Sequence, residues 1–316
     1  MSGDTRLSYL ERLMLRLIVG ASSFPDEVRN RHGEYVLAAQ QPDGGWRGRE
    51  GASDPYYTSF ALRSLTMLGL LEGPVAERAA DFLRSRTQGN ETIVDLLSLI
   101  YSVKLIEAAC GIDAFADLPT GWQARVPDLL ERLRCADGGY GKTFESRAGS
   151  TYQTFLTLLC YQLLDYPVPS PEQVVEFLEG QRRPDGGFVE VRVGKRSGAN
   201  PTAAGVGALV VLDRLTPEIG RAAAVFLSEL QTAEGGFQAN SRIPVADVLS
   251  TFTALVTLAD AHAMDLIYRD AVEKYILSME RLGGGFAGFE FDVSEDVEYT
   301  FYGLGSLAML NAASAR

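Results

Sequence analysis

Hydrophobic residues along this chain form two alternating kinds of helical stretch. One kind is amphipathic: an apolar stripe returns at helical spacing, with Glu and Arg on the opposite face. The other kind is apolar all round, as in YTSFALRSLTML at 57–68 and PTAAGVGALVVL at 201–212. Because a helix without a polar face must be buried, the pattern predicts pairs of helices, each with an outer amphipathic member and an inner buried one.

A short phrase separates the two members of each pair. It reads QPDGGW at 41–46, ADGGY at 136–140, PDGGF at 184–188, AEGGF at 233–237 and LGGGF at 282–286. The equivalent positions Asp43, Asp137, Asp185, Glu234 and Gly283 are 94, 48, 49 and 49 residues apart, so QGNETI at 88–93 is the copy that the first interval hides. Gly-Gly ends a helix because glycine adopts the left-handed cap without steric cost. A period of this length indicates a repeat architecture.

Six such pairs predict an all-α fold, an (α/α)6 toroid of about twelve helices. Closure would hide the inner helices on every side, whereas an open solenoid would need polar caps that the last repeat lacks. The repeats extend over 30–312 without a linker, which favours a single domain for 1–316. Residues 1–29 form a helical extension, with Leu7, Leu10, Leu13, Met14 and Leu17 at helical spacing, expected to pack across the ring.

Composition excludes several classes of protein. A net charge of −12 argues against a nucleic-acid partner, whose binding depends on a basic surface. No apolar run reaches 18 residues, so no transmembrane segment is expected, and residues 1–24 lack the apolar core of a signal peptide. Three cysteines placed in or beside helices favour reduced thiols and a cytoplasmic location.

Two inner stretches carry a family resemblance. DVLSTFTALVTL at 247–258 and DVEYTFYGLGSLAML at 296–310 resemble helices of the prenyltransferase and squalene-cyclase superfamily, above all of the β subunits of protein prenyltransferases. The resemblance implies a toroid that binds an isoprenoid diphosphate and works beside a separate α subunit; a homodimer is the other possibility. It also implies a zinc ion held by Asp, Cys and His. Here Asp247 is kept, but Leu249 and Tyr299 replace the Cys and the His, so zinc is not expected.

Acidic residues recur where inner helices begin. Asp54, Asp247 and Asp296 open repeats one, five and six, which are neighbours in a closed ring, and Glu298 and Tyr299 follow closely. These five residues are the predicted catalytic set. Asp247 and Asp296 could hold Mg²⁺, or one carboxyl could stay protonated and attack an alkene. The alternative is that each Asp simply caps its helix.

Substrate-binding residues are predicted from charge and aromaticity. Basic residues collect in loops around the third to fifth phrases, and from 182 to 196 five basic residues face two acidic ones. Such a cluster suits diphosphate, although a solvated loop would look the same. Aromatic rings on inner helices suit an isoprenoid chain and its cations. The predicted residues are Arg147, Arg192, Lys195, Arg196, Arg242, Tyr57, Tyr152, Phe252 and Tyr302.

Three functions stay open from the sequence. The first is a prenyltransferase β-like protein that handles an isoprenoid diphosphate in the central cavity with an altered zinc set. The second is a class II terpene cyclase-like enzyme with an Asp of the acidic group as proton donor, although the DxDD motif is missing. The third is a non-catalytic toroid that binds a lipid or a protein.

Overall fold

The computed structural model describes residues 7–86, 92–116 and 121–314. In chain order their α-helices are α1 (Tyr9–Ala21), α2 (Asp26–Ala38), α3 (Pro55–Leu68), α4 (Gly73–Ser85), α5 (Ile93–Cys110), α6 (Val126–Glu131), α7 (Thr151–Leu163), α8 (Pro171–Gln181), α9 (Ala199–Val211), α10 (Pro217–Ser228), α11 (Val248–Asp260), α12 (Arg269–Ser278) and α13 (Val297–Ser314). Short 3₁₀ helices cover Trp122–Arg125 and Met264–Leu266. Strand β1 (Phe237–Gln238) pairs antiparallel with β2 (Ala246–Asp247), and β3 (Phe286–Ala287) pairs in the same way with β4 (Glu295–Asp296).

The helices form two concentric rings. Each of the inner helices α3, α5, α7, α9, α11 and α13 contacts the next, and α13 returns to contact α3. The outer helices α2, α4, α6, α8, α10 and α12 alternate with them along the chain. The prediction of an (α/α)6 toroid is therefore confirmed. The first outer helix begins at Asp26, four residues before the predicted boundary at residue 30.

The repeated phrase ties each outer helix to the inner helix that follows. Its acidic side chain accepts a hydrogen bond from the second glycine N–H, at 3.1 Å for Asp43, 3.2 Å for Asp137 and 3.0 Å for Asp185. The backbone N–H of its aromatic residue donates to the hydroxyl of a buried threonine of the inner helix. The pairs are Trp46–Thr58, Tyr140–Thr154, Phe188–Thr202, Phe237–Thr251 and Phe286–Thr300. These threonines are structural. Residues 88–91 of the predicted copy at 88–93 lie outside the described residues; Thr92 caps α5.

His32 closes the ring between the last and first repeats. Gly283 has no side chain to accept a hydrogen bond, and the Gly285 N–H donates instead to His32 Nδ1 at 3.0 Å. The Nε2–H of the same imidazole donates to Glu280 Oε1 at 2.8 Å, and its ring stacks on Phe286 at 4.9 Å between centroids. Gly284 has a φ of +94°, and a Cβ there would lie 2.6 Å from the Arg31 carbonyl oxygen of α2. The two ends of the repeat array are thus held in direct contact.

Helix α1 crosses one end of the inner ring, as the sequence predicts. Leu10, Met14 and Leu17 are buried, and α1 contacts α3, α7 and α13. The Tyr9 hydroxyl donates to Asp260 Oδ2 at 2.8 Å, at the C-terminal end of α11. This places α1 at the C-terminal ends of the inner helices. Among the described residues no helix is both long enough and apolar enough to cross a membrane.

We predict that His32→Gln lowers the free energy of unfolding by about 1–3 kcal/mol at pH 7.5, because it breaks the buried bonds to Gly285 and Glu280. Burial lowers the pKa of His32, so the folded state resists protonation. The stability that His32 contributes is complete above its unfolded pKa of about 6.5 and is lost as the pH falls below that value. Urea denaturation between pH 7.5 and 5 measures both effects.

The control is His262→Gln, at the chain's only other histidine, which is exposed. It should keep both the stability and the pH profile of the wild type. A His32→Gln protein with wild-type stability throughout this range would contradict the closing role.

Candidate functional site

A cavity of about 480 Å³ lies inside the ring. Its floor is formed by Tyr9, Leu10 and Leu13 of α1, and its wall by side chains of α3, α7, α9, α11 and α13. The aromatic residues of this wall are Tyr56, Tyr152, Phe155, Phe252 and Tyr302. Its size and lining are those of a small-molecule site that is mostly apolar.

Three of the four aromatic residues predicted to bind substrate lie in the wall: Tyr152, Phe252 and Tyr302. Phe252 and Tyr302 are 5.4 Å apart between ring centroids, which joins the walls of α11 and α13. Tyr57 and Tyr299 do not line the cavity. The Tyr57 ring packs beside Gly48, and the Tyr299 ring lies under the Arg49 guanidinium at 5.6 Å.

Glu298, in the first turn of α13, has a tyrosine of the cavity wall as its hydrogen-bond partner. The Tyr56 hydroxyl donates to Glu298 Oε1 at 2.5 Å. Burial raises the pKa of Glu298, and the bond from Tyr56 offsets only part of that effect. The site therefore holds a carboxyl group that keeps its proton to a higher pH than a free glutamate does, one hydrogen bond behind the cavity wall.

Arg63 of α3 places a positive charge close to this group. Its guanidinium carbon lies 4.8 Å from the ring centroid of Phe60, 5.0 Å from Tyr101 and 5.6 Å from Phe301. Its charge acts to lower the pKa of Glu298 and of Tyr152. The aromatic rings around Arg63 are thus already in contact with a cation.

The three predicted catalytic aspartates cap their helices. Asp54 accepts from the Tyr57 N–H at 2.8 Å, Asp247 from the Ser250 N–H at 2.6 Å, and Asp296 from the Tyr299 N–H at 2.9 Å. Because α3, α11 and α13 are neighbours, these caps do lie at the same end of the ring, as predicted. Burial raises the pKa of each Asp. None of the three lines the cavity.

Arg49 neutralises one of these carboxylates. Its Nε lies 3.0 Å from Asp296 Oδ2, and its terminal nitrogens bind Asp292 at 2.7 and 2.5 Å. Asp296 is therefore already paired with a cation, and Asp247 already accepts from both the N–H and the hydroxyl of Ser250. Within the described ranges no group of three or more His, Cys, Asp or Glu side chains is arranged to hold a metal ion. Mg²⁺ on Asp247 and Asp296 stays a prediction without a formed site.

The predicted basic residues lie away from the cavity. The side chains of Arg147, Arg192, Lys195, Arg196 and Arg242 are all exposed, and none belongs to the cavity wall. The loops that carry them follow the repeated phrases at the outer surface. Their charge therefore does not reach the cavity wall by direct contact.

Comparison with known proteins identifies the family. The model of the prenyltransferase alpha-alpha toroid domain matches residues 9–189 and 153–316. This chain belongs to the prenyltransferase α/α-toroid family. No curated protein matches it in a sequence comparison.

Solved structures of this ring differ widely in chemistry. The chain is similar to Candida albicans protein geranylgeranyltransferase-I complexed with GGPP, at 15% identity and a TM-score of 0.72 over 90% of this chain and 91% of that one. It is also similar to the R337A variant of the type II terpene cyclase MstE from Scytonema in complex with geranylgeranyl dihydroxybenzoate. That match has 14% identity and a TM-score of 0.62 over 96% of this chain and 99% of that one. A D-mannose isomerase matches with 12% identity and a TM-score of 0.61 over 93% of this chain and 100% of that one. At such identities the likeness shows the fold alone.

Sequence reasoning missed Arg63, Glu190 and Asn200 in this toroid. Glu190 and Asn200 line the cavity. The signal for Arg63 was present, because the six inner helices contain only two basic residues, Arg63 and Lys104. Glu190 gave no such signal, since its loop is rich in charge and only the fold turns this side chain inward.

We predict that Asp247→Ala lowers the free energy of unfolding by about 1 kcal/mol, because it removes the cap of α11. Asp247→Asn should cost less, since asparagine caps helices about as well as aspartate. Urea denaturation of both variants measures this, and both should keep the thermal shift that an isoprenoid ligand gives the wild type. An Asp247→Asn protein that keeps its stability but loses that shift would instead assign Asp247 to the ligand site.

Proposed function

We propose that this protein binds an isoprenoid chain in its central cavity and cyclises it by protonating a double bond, in the manner of a class II terpene cyclase. The observation that carries the proposal is the half-buried Glu298 carboxyl group, hydrogen-bonded to Tyr56 in the wall of an aromatic cavity. Glu298 belongs to the catalytic set predicted from the sequence. The proton donor is thus a glutamate rather than one of the capping aspartates.

The cavity suits a flexible hydrocarbon. Its volume of about 480 Å³ lies within the range of small-molecule sites. The wall combines aromatic rings with Ala203, Ala204, Leu249 and Val256. A Cβ on Gly207 would meet the Phe155 ring at 2.8 Å, so glycine there lets that ring pack against α9.

The proton passes through Tyr56. Because Tyr56 lines the cavity and Glu298 does not, the carboxylic acid donates its proton to the Tyr56 oxygen while the Tyr56 proton goes to an alkene carbon. Tyr56 ends as it began, Glu298 becomes a carboxylate, and the chain becomes a tertiary carbocation. The hydrogen bond from Tyr56 and the charge of Arg63 stabilise the carboxylate.

Aromatic rings stabilise the cation as it moves along the chain. Phe252, Phe155 and Tyr302 present rings to the cavity, and ring faces attract cations. Phe60 and Phe301 are already occupied by the Arg63 guanidinium. The carbocation is therefore stabilised most on the side of the cavity formed by α7 and α11, away from the charge of Arg63. Ring closure by the remaining double bonds and loss of a proton complete the reaction.

Transfer of a prenyl group from a diphosphate has less support. Such a reaction must neutralise the charge that develops on the leaving diphosphate, usually with several Arg, Lys or metal contacts. The predicted basic residues are exposed, and none of the described residues that line the cavity is basic. The proposed proton transfer requires no metal ion, so neither the Mg²⁺ prediction nor the incomplete zinc set bears on it.

We predict that Glu298→Gln lowers the rate of cyclisation by about 100-fold or more, because general acids contribute factors of this size. Farnesol, geranylgeraniol and their diphosphates are incubated with the protein in D₂O. Products are analysed by gas chromatography and mass spectrometry for a cyclic compound that carries one deuterium. Tyr56→Phe should also lose most of the rate, since it interrupts the proton path.

Glu290→Gln, at an exposed position of the same sixth repeat, is the matched control and should keep the wild-type rate. A Glu298→Gln protein as fast as the wild type would overturn the assignment of the acid. Release of inorganic diphosphate in step with product from the diphosphate substrates would overturn the reaction itself in favour of prenyl transfer.

A further inference from the structure

The cavity has a polar sector on the side opposite the Glu298 group. Glu190, Asn200, Thr253 and Thr257 all line it, while the rest of the wall there is aromatic or aliphatic. Asn200 lies in the first turn of α9 and Thr253 in the second turn of α11. Glu298 and Tyr56 lie on α13 and α3. The two polar groups of the cavity thus lie on different elements of the ring, with Glu190 on the loop before α9.

Glu190 has a carboxylate oxygen free for a ligand. Its Oε1 accepts a hydrogen bond from the Ser150 hydroxyl. In the part of the chain that the structure describes, no Arg, Lys or His forms an ion pair with Glu190, and its second oxygen has no hydrogen-bond partner. Glu190 is half-buried and lines the cavity, so a ligand that fills the cavity displaces water from this carboxylate. A hydrogen-bond donor of the ligand would replace that water.

Asn200 offers the complementary group. Thr253 Oγ1 lies 2.9 Å from the Asn200 side-chain oxygen and is the amide's one hydrogen-bond partner among the described residues. An amide NH₂ has two donors, so at least one N–H stays free whichever way round the amide is placed. The sector therefore presents one free acceptor and one free donor to the same cavity.

We propose that this sector recognises the hydroxyl group of a neutral isoprenoid alcohol. The ligand O–H donates to Glu190, and its oxygen accepts from the Asn200 amide. The inference rests on the proposed function and specifies its substrate: the hydroxyl head lies between α7, α9 and α11, and the chain runs across the cavity so that a double bond reaches Tyr56.

Other head groups fit this sector poorly. A diphosphate or a carboxylate would meet the negative charge of Glu190 inside a cavity whose lining contains no cation. A hydrocarbon or an ether would leave the Glu190 oxygen unpaired, and buried groups built to bind a hydroxyl discriminate strongly against analogues that lack it. The sector thus selects against the same diphosphates that protein prenyl transfer would require.

The test measures dissociation constants by isothermal titration for geranylgeraniol, its methyl ether and geranylgeranyl diphosphate. With the wild type, the alcohol should bind about 10-fold more tightly than the ether, which can accept from Asn200 but cannot donate to Glu190. The diphosphate should be the weakest of the three. This series needs no variant, so it holds even if a substitution impairs folding.

Two variants then locate the effect. Glu190→Gln should reduce the preference for the alcohol over the ether. It should also bring the dissociation constant of the diphosphate closer to that of the alcohol, because it removes the negative charge. Asn200→Ala should weaken both alcohol and ether, since both lose the same donor. Glu145→Gln, which removes a negative charge at an exposed position, is the control and should leave all three constants unchanged.

The outcomes separate this inference from the proposed function. Equal binding of alcohol and ether, or tightest binding of the diphosphate, would refute hydroxyl recognition while isoprenoid binding itself stands. A Glu190→Gln protein with the full wild-type preference would refute the role of Glu190. If none of the three compounds binds, the proposed function fails and this inference fails with it.

Discussion

The ring around the cavity is closed at its seam by the hydrogen bond that joins the last repeat to His32 of the first. Repeats one, three and four satisfy the glycine N–H of the turn with their own aspartate, whereas the sixth repeat uses a side chain from across the seam. Because the sixth repeat has Gly283 in place of the acidic residue and His32 supplies the acceptor, the sequence itself encodes a specific contact between the two ends of the repeat array. Only because α13 meets α3 does Tyr56 of the first repeat reach Glu298 of the sixth. The acid and the proton path that we propose thus lie across the seam.

The period of the repeats and the apolar character of the inner helices were enough to predict the toroid and the crossing of α1. Aromatic residues on the inner helices brought Tyr152, Phe252 and Tyr302 forward as candidates, and Glu298 was a candidate because it closely follows Asp296. The spacing of Asp54, Asp247 and Asp296 carried less information, because an aspartate at a helix start satisfies free N–H groups wherever it occurs. The direction of a side chain within a turn decides between a cap and a site, and sequence spacing alone does not fix that direction.

Loops were the least predictable part of the site. The charge-rich segment 182–196 suggested one phosphate-binding cluster, yet Arg192, Lys195 and Arg196 are exposed and Glu190 lines the cavity. Fold constraints explain this division: Glu190 lies two residues after Phe188, whose N–H is held by Thr202, so the backbone there is tied to the inner ring. The charged side chains farther along the loop are exposed to water.

The distribution of charge inside the ring also limits the chemistry that it can support. A cation in the cavity gains from ring faces, yet those nearest Arg63 already bind its guanidinium, and like charges repel. A carbocation formed near Tyr56 is therefore drawn towards Phe155 and Phe252, on the side where Glu190 supplies a negative charge. The acid at one side and the carboxylate at the other give the cavity an electrostatic direction. A transferase, a cyclase and an isomerase share this fold, so the fold alone does not set the electrostatics of the cavity. Side chains of the inner helices and their loops set them.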